Sequence, residues 1–442
     1  MNTKTLHLTA EQSAALDALY RFATGVHGAS MMTLAGYAGT GKTTLVGELL
    51  SQVASTMSVA VAAPTNKAVG VLRSKIDDTL PVEYASIHAL LGLRLRERDD
   101  GTHTCTAEGM SSVHAYGLVV VDECSMLGCD LFRQLVRDAV HHGTRLLFVG
   151  DPAQLPPVGE ERESPSFGLV EHKITLTTVV RQARDNPIIQ LSMAIRDTMQ
   201  ADRRMTTEEI IRACPAPPST VGIAHGGSVT AYNWALHEIR AGHDTRILAY
   251  RNATVIRYNR DIHEAIHGPA TPFSVGETVM MNDSFDEARD EMQRRVMLYN
   301  SEELVVVAIE RDAHYRHLDV SAWKVTLKRS QGQVVTVFTA NDQGALDARC
   351  SRMFADLKTL KEDPKKRDEY KAALASAWSL RNSFAAIRHI YAMTAHKSQG
   401  STLHTAIVDL DDMRALRDDY VYNRALYVAA TRASMNLAFA LL

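Results

Sequence analysis

The sequence predicts an α/β fold with a parallel, doubly wound sheet, and two observations carry that prediction. Short apolar runs rich in Val, Leu or Phe alternate with stretches of helical spacing from the start of the chain to about residue 200. A glycine-rich loop joins one of these runs to a helical stretch, where a βα unit needs a tight turn. The predicted strands of this region are 30–35, 58–63, 117–121 and 145–149.

The loop reads Gly36-Tyr37-Ala38-Gly39-Thr40-Gly41-Lys42-Thr43 and matches the pattern G-x-x-x-x-G-K-[ST] at every fixed position. Its glycines let the backbone N–H groups and the helix N-terminus point at a phosphate. Lys42 can reach the β- and γ-phosphates, and Thr43 can hold Mg²⁺. We therefore expect ATP and Mg²⁺ as cofactors; the alternative is a glycine-rich turn without a ligand. The predicted ATP contacts of the loop are Gly36, Gly39, Thr40, Gly41, Lys42, Thr43 and Thr44.

Composition limits the protein class. The 442 residues suggest three or four domains at about 100 to 200 residues each. The chain has no apolar run that could span a bilayer and no N-terminal signal pattern, so we expect an intracellular protein with no membrane partner. The net charge of −3 argues against coating nucleic acid by bulk electrostatics, and such a partner would need a local groove. The five cysteines form no C-x-x-C pair, which favours a reduced chain without structural metal.

The pattern of elements changes twice after residue 214. A proline-dense connector, 214–218, precedes a strand at 246–250 and a helix at 252–267. From about 272 to 340, short strands with period-2 alternation predict a small inserted β-barrel, followed by a charged helical stretch, 344–382. The α/β pattern then returns at 390–394, 405–410 and 425–441.

Two further strand ends carry polar residues suited to phosphate chemistry. The run Val119-Val120-Val121 ends in Asp122-Glu123, so Asp122 can hold Mg²⁺ through water and Glu123 can take a proton from the attacking water. A polar loop start is the alternative interpretation of this pair. The strand 147–149 is followed by a loop in which Gln154 is placed to sense the γ-phosphate.

The order of these motifs resembles superfamily 1 helicases, and within them the 5′-to-3′ branch, superfamily 1B, of the RecD and Dda type. The loop at 36–43 and the acid pair match the nucleotide motifs, and 150–155 is similar to motif III. The runs 62–68 and 86–91 resemble motifs Ia and Ib, which touch the single strand in that family. The run 394–402 contains His-Lys-Ser-Gln-Gly, the sequence most specific for the 5′-to-3′ branch.

The resemblance implies roles for further residues. Gln12 corresponds to a glutamine that reads adenine, and Arg181 in motif IV and Arg432 in motif VI correspond to arginines that reach the γ-phosphate. With Lys42, Asp122, Glu123 and Gln154 they form the expected catalytic set, and Gln399 and Gly400 join the ATP contacts. The residues expected to touch DNA are Pro64, Thr65, Asn66, His88, Thr394, His396 and Lys397.

The expected architecture is two RecA-like P-loop NTPase domains. The first spans 1–214 and carries a hairpin insert at about 92–113, and the second comprises 215–271 and 391–442. The inserted SH3-like barrel and helical domain spans 272–390. The hairpin, 93–106, turns at Asp100-Gly101 and is either a duplex-splitting pin or decorative, because it has only His103 and arginines where a stacking aromatic is expected.

The sequence thus predicts an ATP-dependent DNA helicase that moves 5′ to 3′ on single-stranded DNA and unwinds forked duplex DNA. One alternative is a single-strand translocase that displaces proteins with little unwinding, and another is a nucleotide-switched binding module. The resemblance suggests the cytoplasm of a bacterial or phage-infected cell, a monomer, and single-strand-binding or replication proteins as further partners.

Overall fold

The computed structural model describes residues 8–77, 79–97, 103–107, 109–179, 186–214, 220–312, 319–361 and 366–442. Two compact units account for the chain. The first comprises Met1–Leu95, Cys105–Tyr258 and Ala392–Leu442, and the second comprises Arg96–Thr104 and Asn259–Tyr391. Among the described residues, no helix combines the length and the apolar character that crossing a bilayer requires.

The elements up to residue 214 follow the predicted alternation. The strands are β1 Met31–Gly36, β2 Val59–Ala63, β3 Val82–Ser86, β4 Leu93–Glu97, β5 His103–Ala107, β6 Leu118–Val121, β7 Arg145–Gly150 and β8 Lys173–Leu176. The helices are α1 Ala10–Ala23, α2 Lys42–Val53, α3 Asn66–Lys75, α4 Ile87–Leu90, α5 Cys129–His142, α6 Pro165–Gly168, α7 Pro187–Gln200 and α8 Thr207–Ala213, with 3₁₀ turns at Val113–Ala115 and Cys124–Met126.

The remaining elements are given in chain order. The strands are β9 Val221–His225, β10 Thr245–Ala249, β11 Thr278–Met281, β12 Phe285–Asp290, β13 Arg295–Leu298, β14 Glu303–Asp312, β15 Ala322–Arg329, β16 Val334–Ala340, β17 Ile387–His389, β18 Ala392–Thr394, β19 Leu403–Asp409 and β20 Ala433–Leu441. The helices are α9 Gly227–Arg240, α10 Asn252–His267, α11 Gln343–Lys361, α12 Arg367–Asn382, α13 Leu410–Met413 and α14 Asp419–Ala430.

The first unit contains two parallel sheets, which confirms the predicted fold class. Six strands form one sheet in the order β3-β2-β6-β7-β1-β8, and five form the other in the order β18-β10-β19-β20-β9. Every strand pairing in both sheets is parallel. The central strands are buried because helices cover both faces of a parallel sheet, as β2 and β10 show, whereas the edge strands β3 and β8 are partly exposed. The carboxyl ends of the strands in each sheet therefore open onto a common edge, where loops carry the candidate site residues.

Local sequence explains how the first sheet is covered. Helix α1 is capped by Thr9, whose hydroxyl accepts a hydrogen bond from Gln12 N–H while Gln12 Oε1 accepts one from Thr9 N–H. The buried side chains of α1 and α2 include Leu19, Phe22 and Leu45, all fully removed from water. Because this core fixes α2, it also fixes the glycine-rich loop that precedes it.

The second unit is built on a seven-stranded sheet in the order β13-β12-β16-β15-β14-β11-β17. All of its pairings are antiparallel, and most of its strands fall in the stretch 272–340 where period-2 alternation predicted short strands. Helices α11 and α12 pack together over a separate apolar cluster that includes Phe354 and Leu380. The described strand order is open at β13 and β17, so closure into an SH3-like barrel stays a prediction.

The hairpin predicted at 93–106 is formed by β4 and β5, which pair with each other alone. Its base is closed by Gly92 and Gly109, since Gly109 N–H donates to Gly92 O at 3.0 Å. Gly92 has φ 63°, and a Cβ there would lie 2.6 Å from Gly109 O, so a glycine is required at this position. The turn at Asp100-Gly101, the connector 215–218 and Arg181 lie outside the described residues.

Candidate nucleotide and nucleic-acid site

The glycine-rich loop lies between β1 and α2 in the geometry that anion binding needs. Gly39 and Gly41 have φ of 79° and 85°, a left-handed conformation that favours glycine. A Cβ at Gly36 would lie 2.8 Å from Thr40 Oγ1, so this position also requires glycine. The first residue before α2, Gly41, offers no side chain to the helix, which leaves its first N–H groups facing the loop. These features fit a bound phosphate.

Lys42 and Gln12 both contact the backbone of this loop. Lys42 Nζ donates to Gly36 O at 2.6 Å and to Tyr37 O at 3.1 Å, so the loop carbonyls hold the ammonium in the concavity. Gln12 is buried, and its Nε2 donates to Thr40 O at 3.0 Å. Gln12 therefore ties α1 to the loop; reading of adenine by its amide stays a prediction. Thr43 is half-buried and Thr44 is exposed at the start of α2.

The acid pair Asp122-Glu123 follows β6. In the sheet, β7 lies between β6 and β1, the strand that precedes the glycine-rich loop. Glu123 adopts φ 50°, a left-handed conformation that costs a non-glycine residue on the order of 1 kcal/mol. Removal from water and the neighbouring Glu123 charge raise the pKa of Asp122 to about 7, which Lys42 only partly opposes. A carboxyl pair under this repulsion fits a divalent cation, and Thr43 and Asp122 are the residues that would hold Mg²⁺.

Tyr427 joins the second sheet to the nucleotide loop of the first. This fully buried side chain of α14 accepts a hydrogen bond from Ala38 N–H at 3.0 Å and donates one to Asp151 Oδ2 at 2.6 Å. Burial raises the pKa of Asp151, while the charge of Lys42 and the Tyr427 hydrogen bond oppose that rise. The loop, motif III and motif VI thus share one hydrogen-bonded chain.

Gln154 forms a second link between the two sheets. Its Oε1 accepts hydrogen bonds from Ser125 Oγ and from Gln399 Nε2, both at 3.3 Å. All three side chains are buried, so these bonds are shielded from water. The structure therefore brings together the predicted residues Gln154 and Gln399, which lie 245 positions apart in the chain.

Arg432 lies near this link but faces backbone oxygens. Its guanidinium donates to Val428 O and Ser401 O, at 3.1 Å and 3.2 Å, and is buried. It holds motif V against motif VI, and its role as an arginine that reaches the γ-phosphate stays a prediction. The corresponding prediction for Arg181 falls outside the described residues.

Sequence reasoning missed three residues of this region. Tyr427 and Asp151 stand inside the quoted motif runs, but nothing in the chain order links them. Arg196 lies on α7, outside every motif, with its Cζ 3.7 Å from the Tyr37 ring centroid in the loop. Helical spacing and a basic residue were the only signals for Arg196, and neither distinguishes it from a solvated arginine.

The candidate DNA contacts of the first sheet lie at the ends of β2 and β3. These neighbouring strands bring Ala63 opposite Ser86, so residues 64–67 at the start of α3 and His88 of α4 follow adjacent strand ends. Pro64, Thr65, Asn66 and His88 are half-buried. The Thr65 hydroxyl caps α3 by accepting from Ala68 N–H at 3.2 Å. Burial lowers the pKa of His88, so it is a neutral hydrogen-bonding group at pH 7.

The candidate contacts of the second sheet follow β18. Thr394 Oγ1 accepts from Lys397 N–H at 3.3 Å, and burial lowers the pKa of His396. Gly400, at φ 72°, packs on the first sheet's α3, because a Cβ there would lie 3.5 Å from Ala68 Cβ. The loops after β2 and β18, predicted to grip the same strand, therefore meet through small residues.

Two family models match the chain. A model described as AAA domain matches residues 7–213, and one described as UvrD-like helicase C-terminal domain matches residues 389–440. Among curated relatives, the ATP-dependent DNA helicase Dda of Enterobacteria phage T4 is 24% identical and is covered over 94% of its length by 92% of this chain. The ATP-dependent RecD2 DNA helicase of Deinococcus radiodurans is 32% identical over 46% of this chain, which spans 26% of that relative.

Solved structures show the same fold. The Pif1 helicase from Bacteroides, in complex with ADP-AlF3 and ssDNA, superposes with a TM-score of 0.52 at 15% identity, covering 98% of this chain and 92% of that chain. The glycine-rich loop, the acid pair and the second sheet that contacts them define a P-loop nucleotide hydrolase with two parallel-sheet motor domains. In its two family matches and its curated relatives, the chain is similar to superfamily 1B helicases of the RecD and Dda type.

Proposed function

We propose that this chain is an ATP-dependent DNA helicase that moves 5′ to 3′ on single-stranded DNA and unwinds duplex DNA. The observation that carries the proposal is the pair of hydrogen-bonded links between the sheets, Tyr427 to Ala38 and Gln399 to Gln154. Through them, the sheet that holds the nucleotide motifs contacts the sheet that holds motifs V and VI. The family matches and the DNA helicases among the relatives support the same activity.

The residues of the nucleotide loop and of the acid pair have different roles in ATP hydrolysis. Lys42 and the loop N–H groups bind the phosphates, while Thr43 and Asp122 orient the cation. Mg²⁺ held by Thr43 and Asp122 would supply positive charge to offset the charge that develops on the phosphates. Glu123 accepts a proton from the attacking water, and its strained backbone fixes the carboxylate at the strand end. Arg181 and Arg432 stabilise the transferring phosphoryl group, and Gln154 senses it.

Movement along DNA is expected because the residues proposed to bind the strand lie beside two different sheets. The loop 64–67 and His88 belong to the first sheet, whereas Thr394, His396 and Lys397 belong to the second. Hydrogen bonds from backbone and hydroxyl groups to the sugar-phosphate strand carry no sequence information, which suits a motor that must pass any sequence. Closure of the nucleotide cleft then shifts one set of DNA contacts relative to the other.

Direction and partners rest on the motif V sequence, His396-Lys397-Ser398-Gln399-Gly400, and on the relatives. We propose single-stranded and forked DNA as substrates, a monomer as the working form, and the SH3-like barrel as the form of the seven-stranded insert. The proposed location is the cytoplasm of a bacterial or phage-infected cell, since the named relatives come from a bacterium and a phage.

Steady-state ATP turnover with and without single-stranded DNA tests the motor, and tailed duplexes test its direction. We expect strong stimulation by single-stranded DNA and unwinding of duplexes with a 5′ tail but not with a 3′ tail alone. Unwinding from the 3′ tail would overturn the direction. DNA-stimulated turnover without unwinding, together with displacement of streptavidin from a biotinylated strand, would instead establish a translocase.

A further inference from the structure

A cluster of two histidines and a glutamate lies in the second unit, and none of the three residues belongs to a motif of the proposed helicase function. His263 belongs to α10, Glu277 stands directly before β11, and His389 ends β17. One ligand atom from each residue lies within 4.8 Å of the other two. The side chains of His263 and Glu277 are 5% and 1% exposed, and that of His389 is 17% exposed.

The hydrogen bonds of His263 fix which ring nitrogen faces the glutamate. Its Nε2 lies 3.0 Å from Thr271 O, and a carbonyl oxygen can only accept, so Nε2 carries the hydrogen. In the neutral ring, Nδ1 then presents a lone pair. Nδ1 is buried 3.2 Å from Glu277 Oε2, yet no described residue is aligned to hydrogen bond with it. In that neutral state two electron-rich atoms would face each other, and either a proton on Nδ1 or a bound cation relieves the contact.

A bound cation resolves this arrangement. Histidines that ligate a metal commonly donate their other ring N–H to a backbone carbonyl, as His263 does with Thr271. Ligand atoms of a tetrahedral zinc site lie about 3.3 Å apart, since metal–ligand distances are about 2.0–2.1 Å. The separation between His263 Nδ1 and Glu277 Oε2 already matches that spacing.

The third residue completes the donor set. His389 Nδ1 lies 2.5 Å from Glu277 Oε1, a separation that must lengthen to admit an ion. Glu277 Oε2 faces His263 Nδ1 and Glu277 Oε1 faces His389 Nδ1, so each carboxylate oxygen has an imidazole nitrogen beside it. Two imidazole nitrogens and one carboxylate oxygen suit zinc and related transition metals rather than Mg²⁺ or Ca²⁺.

We propose that His263, Glu277 and His389 bind one divalent transition metal ion of the zinc class. The cluster joins segments at both ends of the stretch Asn259–Tyr391, because His263 and Glu277 follow its beginning and His389 precedes its end. The ion cross-links these entering and leaving segments and stabilises the insert at its base. This differs from the expectation of no structural metal, which considered cysteine spacing and could not detect ligands that are 112 positions apart.

The test uses the full chain without a histidine tag, stripped with chelator and titrated with Co²⁺ and then Zn²⁺. We expect about one equivalent of Co²⁺ with visible absorption typical of a nitrogen-coordinated site, displaced by Zn²⁺, and a higher midpoint of thermal unfolding with metal. His263→Gln and Glu277→Gln should abolish binding. Because those residues are buried, His389→Gln serves as the variant that is most readily accommodated, and it should weaken binding at least tenfold.

The matched control is His404→Gln in a second group, Glu238, His243 and His404, which lies in the first unit and is more exposed. That variant should keep full Co²⁺ binding. Absence of binding by the wild-type chain, or loss of binding in His404→Gln with retention in His263→Gln, would overturn the proposal. The cluster would instead be a proton-linked ion pair if added metal had no effect. In that case the stability of the metal-free protein would depend on pH between 5 and 8, and His263→Gln would remove that dependence.

Discussion

Tyr427 donates a 2.6 Å hydrogen bond to Asp151 across 276 positions of sequence, and the same hydroxyl accepts from Ala38 N–H in the nucleotide loop. A buried hydroxyl of the second sheet's α14 that bonds two loops beside the first sheet couples the positions of the two sheets, because neither partner can find water if the bond breaks. A shift in the position of the nucleotide loop would therefore be transmitted through this side chain to motifs III and VI.

Tyr427→Phe should reduce kcat for DNA-stimulated ATP hydrolysis about tenfold or more, since an unsatisfied buried group costs about 1–3 kcal/mol. The activity profile should also move to higher pH, because Asp151 loses a donor that opposes its raised pKa. The matched control is Tyr258→Phe, which removes a comparable 2.7 Å bond to Asp409 away from the loop. Equal loss of turnover in both variants would point to general destabilisation.

Replacement of Lys42 by Ala, or of Glu123 by Gln, should lower DNA-stimulated ATP hydrolysis by orders of magnitude. Lys42 is held on the loop carbonyls where phosphate is expected, and Glu123 is the expected proton acceptor. Glu123→Gln should still bind nucleotide, as measured with a fluorescent ATP analogue. Exposed Lys371→Ala serves as the control, and near-wild-type turnover in either site variant would remove the assignment.

Asp122→Asn should abolish turnover and yet stabilise the nucleotide-free, Mg²⁺-free protein. A carboxyl whose pKa is raised to about 7 holds its proton more tightly when folded, so the folded state loses stability as the pH rises from about 4 to 7. Asparagine removes that penalty. We expect a gain on the order of 2 kcal/mol at pH 8, about half of what the full shift would give at 1.36 kcal/mol per unit. Thermal unfolding at pH 5 and pH 8 should show a smaller gain at the lower pH.

The link between Gln154 and Gln399 should appear as coupling in a double-mutant cycle. Replacing either residue by Ala breaks the same buried bond, so the double variant should lose less DNA-stimulated turnover than the sum of the single effects. We expect a coupling of about 0.5–3 kcal/mol in transition-state stabilisation. Strictly additive effects would mean that the two glutamines act independently.

Shortening the hairpin at Asp99-Asp100-Gly101 should abolish strand separation while ATP hydrolysis and translocation on single strands stay nearly intact. The proposed DNA contacts lie in the two parallel-sheet domains, whereas a pin would only block one strand at the fork. His103→Ala should cost little by comparison, since a steric barrier needs no stacking. Unwinding by the shortened variant would show the hairpin to be decorative, and loss of ATPase would show it to be structural.

Local patterns were sufficient to predict the parallel sheets and the nucleotide loop, because strand burial and glycine spacing are recorded in consecutive residues. The partners of those residues were not predictable. Thr65 illustrates the difference: its position after β2 was predicted, but its hydroxyl caps α3. Tyr427, Arg196 and the histidines of the insert acquire their roles only when distant segments pack, which periodicity in one sequence does not encode.

The closed base at Gly92 and Gly109 has an evolutionary consequence. Two backbone hydrogen bonds close the base, from Gly109 N–H to Gly92 O at 3.0 Å and from Ser112 N–H to Leu90 O at 2.8 Å. Because these bonds hold the two ends of the hairpin together, we expect insertions and deletions between the two glycines to leave the register of β6 unchanged. The hairpin is thus the place in the first sheet's domain where sequence length is expected to vary most freely.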